Sequence, residues 1–170
     1  MLKVASFKGR LILLSLAVVV ADQWTKYLVE QHLAPGRQIE VIPGFLDLIY
    51  VRNSGIAFGL FAAGSSAIGV VALTVLGLVA LGMVLVYFLR TPDSNRWVLI
   101  ALAFILGGAI GNLVDRALSG SVTDFIEVYL GPFHWPTFNA ADSAITIGIV
   151  MIAADAIWLH RKEKSSGVDA

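Results

Sequence analysis

Residues 67–89 read AIGVVALTVLGLVALGMVLVYFL, 23 residues without a charge. A helix needs about 20 apolar residues to cross the hydrocarbon core of a bilayer. This stretch therefore predicts a membrane span. A second uncharged run, 18 residues, covers Trp97 to Val114. Two more stretches are long enough but carry charges near their ends. Leu11 to Val29 is interrupted by Asp22, Gln23 and Lys26. The last runs from about Asn139 to Leu159, with Asp142 near one end and Asp155 near the other. The composition agrees: 58% of residues are apolar, 14% are charged, and the mean hydropathy is +0.82. Soluble domains carry about 25% charged residues. The expectation is one integral membrane domain over residues 1–170, all-α within the membrane, with spans at approximately 11–29, 67–89, 97–114 and 139–159.

The basic residues give the orientation, because Lys and Arg collect on the cytoplasmic side. Lys3, Lys8 and Arg10 precede the first span, Arg90 and Arg96 flank the 90–96 loop, and Arg161, Lys162 and Lys164 follow the last span. Lys26, Arg37, Arg52 and Arg116 fall on the other side. Both termini are thus expected in the cytoplasm, with segments 30–66 and 117–138 outside. The first 21 residues also have the form of a secretory signal peptide, ending in Val19-Val20-Ala21. The apolar run resumes through Tyr27, Leu28 and Val29, as a continuing helix would, so the first helix is expected to be retained. Gln38 to Val41 and Leu46 to Leu48 alternate in polarity around the turn signal Pro43-Gly44. Val122 to Leu130 is rich in β-branched and aromatic residues. These segments predict a small extracytoplasmic β-sheet. Trp24, Tyr129 and Trp135 are expected at the outer interface, and Trp97 and Trp158 at the inner one.

Several chemistries are excluded. Net charge is zero, which argues against nucleic acid as a partner. With no cysteine there is no catalytic thiol, disulfide or thiolate metal site. His32, His134 and His160 lack ligand-like spacing, and no H-E-x-x-H, G-x-S-x-G or P-loop occurs. No metal and no cofactor is expected.

What remains is acidic. Asp124 and Asp142 lie in two short polar islands, 122–126 and 138–143, on the same expected side of the membrane. An ionisable residue beside a span is costly and marks a functional candidate. Asp142 has a simple structural explanation, since a carboxylate suits a helix N-terminus, with Asn139 as N-cap and Asp142 at N3. Asp124, in a strand-like segment, has none. Asp22 and Lys26, four apart, fit a local ion pair. Arg52-Asn53-Ser54-Gly55 reads first as a turn; at the outer surface Asn53 could also donate to a substrate backbone. Gly107 and Gly111 form a G-x-x-x-G pair that lets another helix approach. Asn112, Asp115 and Arg116 stack on one helix face and suggest a polar scaffold beneath a site. Asp155 lies about 20 Å further along its helix than Asp142 and reads as an interfacial charge.

Taken together these islands resemble the bacterial lipoprotein signal peptidases, the type II signal peptidases. The matching stretches are Asp22 to Lys26, Arg52 to Phe58, Gly107 to Arg116, Val122 to Ile126 and Phe138 to Asp142. They occur in the family's order over about residues 11 to 160. The resemblance implies an aspartyl endopeptidase of the bacterial inner membrane. It would remove the signal peptide of diacylglyceryl-modified prolipoproteins, cutting just before the lipidated cysteine. It implies Asp124 and Asp142 as the catalytic dyad. Asn53, Gly55, Asn112, Arg116 and Asn139 are implied around it, with Asp22, Lys26 and Asp115 as support. It implies lipidated prolipoproteins, membrane lipids and globomycin-type inhibitors as partners, and a monomer is expected. A proton-coupled transporter or a non-catalytic lipid-binding scaffold would be the rival readings. A transporter would distribute acidic groups through the membrane depth; here Asp22, Asp115, Asp124 and Asp142 cluster at the outer end, and within the spans only Asp155 lies at the other.

Overall fold

The structure is a computed structural model and describes residues 7–54 and 67–165. Gly55 and the stretch 56–58 lie outside the described residues. Among the described residues, four helices are joined at one end of the bundle by a small sheet. In chain order these are α1 (Phe7–His32), β1 (Gln38–Ile42), β2 (Leu46–Asn53), α2 (Ala67–Arg90), α3 (Arg96–Ser119), β3 (Val122–Leu130), β4 (Phe133–Phe138) and α4 (Ala140–Ser165). All four helices are long and apolar enough to cross a membrane. Each contains most or all of an expected span and extends past it by up to several residues, because its charged ends continue the helix into the interface.

α3 is the centre of the bundle and packs on α1, α2 and α4. Its buried residues include Leu99, Ala101, Leu102, Ala103 and Leu106. Lipid tails are as apolar as Leu, so close packing and interhelical hydrogen bonds must hold such helices together. Glycine provides the packing. A Cβ on Gly107 would sit 2.7 Å from the Ser15 carbonyl oxygen of α1, and one on Gly108 would strike the Ala141 carbonyl of α4. Ser15 Oγ donates to the Ala103 carbonyl at 2.8 Å, tying α1 to α3 directly. α3 starts on an Asn95 cap and ends at Gly120, in the left-handed region at φ 69°. That sharp stop turns the chain straight into β3.

The sheet is antiparallel, in the order β1-β2-β3-β4. It stands where α1 and α3 end and α4 begins. Tyr50 and Phe125 pack with Val29 and Leu33 of the α1 end, which fixes the sheet to the bundle. β4 is not foreseen by the sequence reading, since Pro136 cannot donate to a ladder; at the edge of the sheet that donor is dispensable. Arg52 and Asn53, read from sequence as a turn, instead finish β2, paired with Thr123 and Val122. Trp24 and Trp135 are exposed at the sheet end, Trp97 and Trp158 at the other.

Candidate active site

The start of α4 brings the first carboxylate into place. Asn139 caps the helix: its Oδ1 accepts from the Asp142 N–H at 2.9 Å, and its own N–H donates to Asp142 Oδ2 at 3.3 Å. This is a reciprocal capping box with Asp at the third position. The Ala141 N–H, another donor that the helix leaves open, goes to Asp22 Oδ1 of α1 at 2.9 Å. The beginning of α4 is therefore held by its own cap and by α1.

β3 brings the second carboxylate. Asp124 is 3% exposed. Its Oδ1 accepts from Asn139 Nδ2 at 2.7 Å and its Oδ2 from Asn53 Nδ2 at 2.8 Å. Asn139 thus touches both carboxylates, donating with its side chain to one and its backbone to the other. The remaining oxygen of the pair, Asp142 Oδ1, accepts from Asn112 Nδ2 at 2.8 Å. Every oxygen of the two carboxyls has an amide donor, and the donors come from β2, α3 and the junction before α4.

Beneath the pair lies a buried cation. Lys26 is 3% exposed and Asp22 fully buried. The ammonium reaches Asp22 Oδ2 at 2.8 Å, Asp115 Oδ2 at 2.8 Å and Asn112 Oδ1 at 3.2 Å. An ammonium has three hydrogens, and all three are used. The contact to Asn112 has a second consequence. It forces the amide oxygen of Asn112 toward Lys26 and so aims the NH2 at Asp142. Gln23 bridges Asp22 and Asp115 at 3.2 and 2.8 Å, and the Thr123 N–H donates to Asp115. Gly111 lets this cluster close, since a Cβ there would lie 2.6 Å from Asp22 Oδ2.

Burial pushes the Asp124 carboxyl up to about 6. The Asn53 amide opposes the rise, the Asp142 charge adds to it, and Asn139 and, at longer range, Lys26 pull the other way. A carboxyl that gains or loses its proton near neutrality suits proton transfer. Two clefts flank the pair. One of about 310 Å³ is lined by Arg52, Asn53, Ser54, Asp124, Pro136 and Thr137. The other, about 440 Å³, joins Asp142 and Ser143 to apolar Val128, Trp135, Phe138 and Ile147.

The structure brings together Asp22, Lys26, Asn53, Asn112, Asp115, Asp124, Asn139 and Asp142. The Asp22–Lys26 pair is local, as its spacing indicates, but also interhelical through Asp115. Arg116 donates to the Asn112 carbonyl at 3.2 Å, within its own helix. The central cation is Lys26, and the structure gives Arg116 a place at its edge. Asp155 lies away from the cluster, beside Trp97 and Trp158. Sequence reasoning passed over Gln23 and Thr123 as members. A Gln within an apolar helix was the available signal, for it too must find a partner.

A membrane-embedded protease of the aspartic type is the class to which this fold and this paired-carboxyl cluster correspond. The profile of the signal peptidase II family matches residues 14–158. Similar proteins include the lipoprotein signal peptidase of Desulforapulum autotrophicum, 46% identical over 88% of this chain and 92% of that one. That of Syntrophus aciditrophicus is 42% identical over 87% and 91%. A solved structure described as a bacterial membrane enzyme superposes with a TM-score of 0.80, at 31% identity, covering 97% of this chain and 95% of the other. The chain belongs to the signal peptidase II family, the multi-pass bacterial membrane aspartic proteases that remove signal peptides from prolipoproteins.

Proposed function

We propose that Asp124 and Asp142 are the catalytic pair with which this chain cleaves diacylglyceryl-modified prolipoproteins just before the lipidated cysteine. The observation that carries the assignment is the joint hold of Asn139 on both carboxyls. Two carboxyls so close cannot both ionise easily, so they share a proton. The ionised member takes a proton from water, whose oxygen attacks the scissile carbonyl carbon. The protonated member donates to the carbonyl oxygen. Collapse of the tetrahedral intermediate breaks the C–N bond: the leaving cysteine amine takes up a proton from the pair, and one hydroxyl of the intermediate returns its proton to the pair as the carbonyl re-forms. Acid and base are properties of the pair.

Asn53, Asn112 and Asn139 orient the carboxyls; Asp22, Lys26, Asp115 and Arg116 support them. Gly55, two positions after Asn53 in sequence, is assigned with them on the family resemblance alone and lies outside the described residues. The two clefts leave room for chain on either side of the scissile bond, and the apolar one suits hydrocarbon. Inhibitors of the globomycin type would compete there. The same reading takes the chain as a monomer among membrane lipids. The direct test is purified protein in detergent with a lipidated lipobox peptide, read by mass spectrometry. A single cut before the modified cysteine is expected; no cut, or a cut elsewhere, would refute the proposal.

The shared proton sets a pH dependence. The reactive form holds one proton on the pair. Asp124 loses its proton near 6, so kcat/KM, which reports the free enzyme, should fall as pH rises through that region. The limb in kcat should lie higher, because bound substrate excludes water and disfavours the second charge. A kcat/KM that is flat from pH 5 to about pH 9, well past the limb that free-enzyme ionisation would set, would contradict this.

The same reading places both termini in the cytoplasm, the sheet outside, and the site at the outer leaflet of the inner membrane. The excess of basic residues at the N-terminus, the 90–96 loop and the C-terminus supports it. A reporter fused after Ala170 should be cytoplasmic, and one inserted near Ser119 external. Finding both on one side would rule out four crossings.

A further inference from the structure

Asp22, Lys26 and Glu30 follow one another at intervals of four along α1, which places them on one helix face. The first two support the carboxyl pair from beneath. Glu30, one turn further on, reaches the sheet. Its Oε1 accepts from the Thr123 hydroxyl at 2.6 Å and lies 3.6 Å from Arg52 Nη2. Arg52 and Thr123 are directly opposed on β2 and β3, so their side chains share a face. Arg52 immediately precedes Asn53, and Thr123 immediately precedes Asp124. Successive side chains of a strand alternate between faces. Asn53 and Asp124 therefore meet on the other face, where the Asn53 amide donates to Asp124 Oδ2 at 2.8 Å.

This corner of the sheet needs an anchor of its own. The β2–β3 ladder is interrupted by a register shift between Leu48 and Val51. Beyond it, among the described residues, Val51, Arg52 and Asn53 pair with Asp124, Thr123 and Val122. So short a ladder, set off by an irregularity, holds a side chain in aim only if something else fixes it. Thr123 is 3% exposed and is gripped twice. Its N–H donates to Asp115 Oδ2 of α3 at 3.2 Å, and its hydroxyl to Glu30 of α1. The two contacts of Glu30 differ in weight. A hydroxyl donating to a carboxylate at 2.6 Å is a strong, charge-assisted bond. The Arg52 contact is long and its side chain is 46% exposed, and such a pair contributes little.

We propose that Glu30 is a positioning residue for cleavage, an assignment that rests on Asp124 being catalytic. It acts through the Thr123 hydroxyl, holding β3 where Asp124 meets Asn53 and Asn139. Among the described residues Glu30 lines neither of the two clefts beside the carboxyl pair. Its own contacts are to Thr123 and Arg52, not to either carboxyl. Its effect therefore lies in the alignment of the reacting group and not in the grip on substrate. Misalignment lowers kcat, while a residue off the path of the substrate leaves KM unchanged.

The test is steady-state cleavage of a lipidated lipobox peptide by full-length protein in detergent, below the unfolding midpoint of every variant. Glu30→Ala should lower kcat by about 10-fold or more, a share of the ~100-fold that misplacement can cost. Its KM should stay within about 2-fold of native, as for a group that adds nothing to substrate binding. Glu30→Gln keeps an oxygen for the Thr123 hydroxyl and should restore kcat to within about 3-fold of native, the bond being weaker without the charge. Thr123→Val removes the same bond from its other end and should reproduce Glu30→Ala. The double variant should be no slower than either, because the two residues act as a unit. A merely structural role would lower the unfolding midpoint of Glu30→Ala and leave its kcat native. That result, or a loss that appears in KM instead, would overturn the proposal. So would a Glu30→Gln as slow as Glu30→Ala, since the charge and not the bond would then be what matters. Asp124→Asn, run alongside, separates the two assignments. An inactive Asp124→Asn beside a native-like Glu30→Ala sinks the role of Glu30 alone, and an active Asp124→Asn sinks both.

Discussion

Asp124→Asn and Asp142→Asn are each expected to lower cleavage of a lipidated lipobox peptide by about 1,000-fold or more, as loss of a group that transfers protons does. The double variant should be about as inactive as either single one, because the two act as a unit. The substitutions are nearly isosteric. At position 142 the Asn side chain keeps an acceptor for the Asn139 N–H, so the helix start should survive. At position 124 the Asn keeps one acceptor for Asn139, and the exposed Asn53 amide can turn its oxygen to the new NH2, so stability should not fall. The folded chain holds the Asp124 proton more tightly than the unfolded chain does, its carboxyl being raised to about 6. Folding therefore weakens as pH rises between the unfolded and folded values and stays weakened above them. An amide removes that charge. Asp124→Asn should melt at or above the native temperature at pH 8, measured in detergent, while being unable to cleave. Substantial turnover by either single variant would refute the aspartyl pair.

Lys26→Met is expected to fail for a different reason. The ammonium sits among Asp22, Asp115 and Asn112. Its removal leaves the buried Asp22 carboxylate and the largely covered Asp115 carboxylate facing each other across Gln23. Breaking a buried ion pair from one side costs about 3–5 kcal/mol. The Asn112 amide also loses the contact that fixes its orientation, and with it the aim of the hydrogen bond to Asp142. A displacement of that kind can cost about 100-fold in rate. The two effects separate in the double variant Lys26→Met with Asp115→Asn. Removing one surplus charge should recover much of the thermal stability and little of the activity. A Lys26→Met protein that melts and cleaves like the native chain would show that the buried cation serves neither purpose.

The spans were legible because length without charge is a direct requirement of the bilayer, and residues 67–89 meet it without any tertiary information. Three of the strands were legible for a similar reason: alternation and turn residues are local. β4 was not, because Pro136 speaks against a strand and only its edge position makes it harmless. The site was legible as residue types and much less so as connections. Spacing gives Lys26 its neighbour at i−4, Asp22. It is silent about Asp115 and Asn112 on another helix, which arrive only because Gly107 and Gly111 bring α1 and α3 together. The cap of α4 by Asn139 and Asp142 could be read from four residues, since both partners lie within one turn. That Asp22 caps the same helix from α1, 119 positions away, depends on helix packing that no window of sequence contains.

The capping box at the start of α4 ties two events together. The bonds that begin the helix are the bonds that set the Asp142 carboxyl against Asn139 and, through it, Asp124. If the first turn of α4 frays, the pair comes apart in the same motion. Helix ends are ordinarily the least protected part of a fold, and here such an end holds the reactive group. Occupancy of the cleft should then be visible as slowed amide hydrogen exchange at Ala141 and Asp142, a signal from the backbone that reports the site's assembly without any turnover.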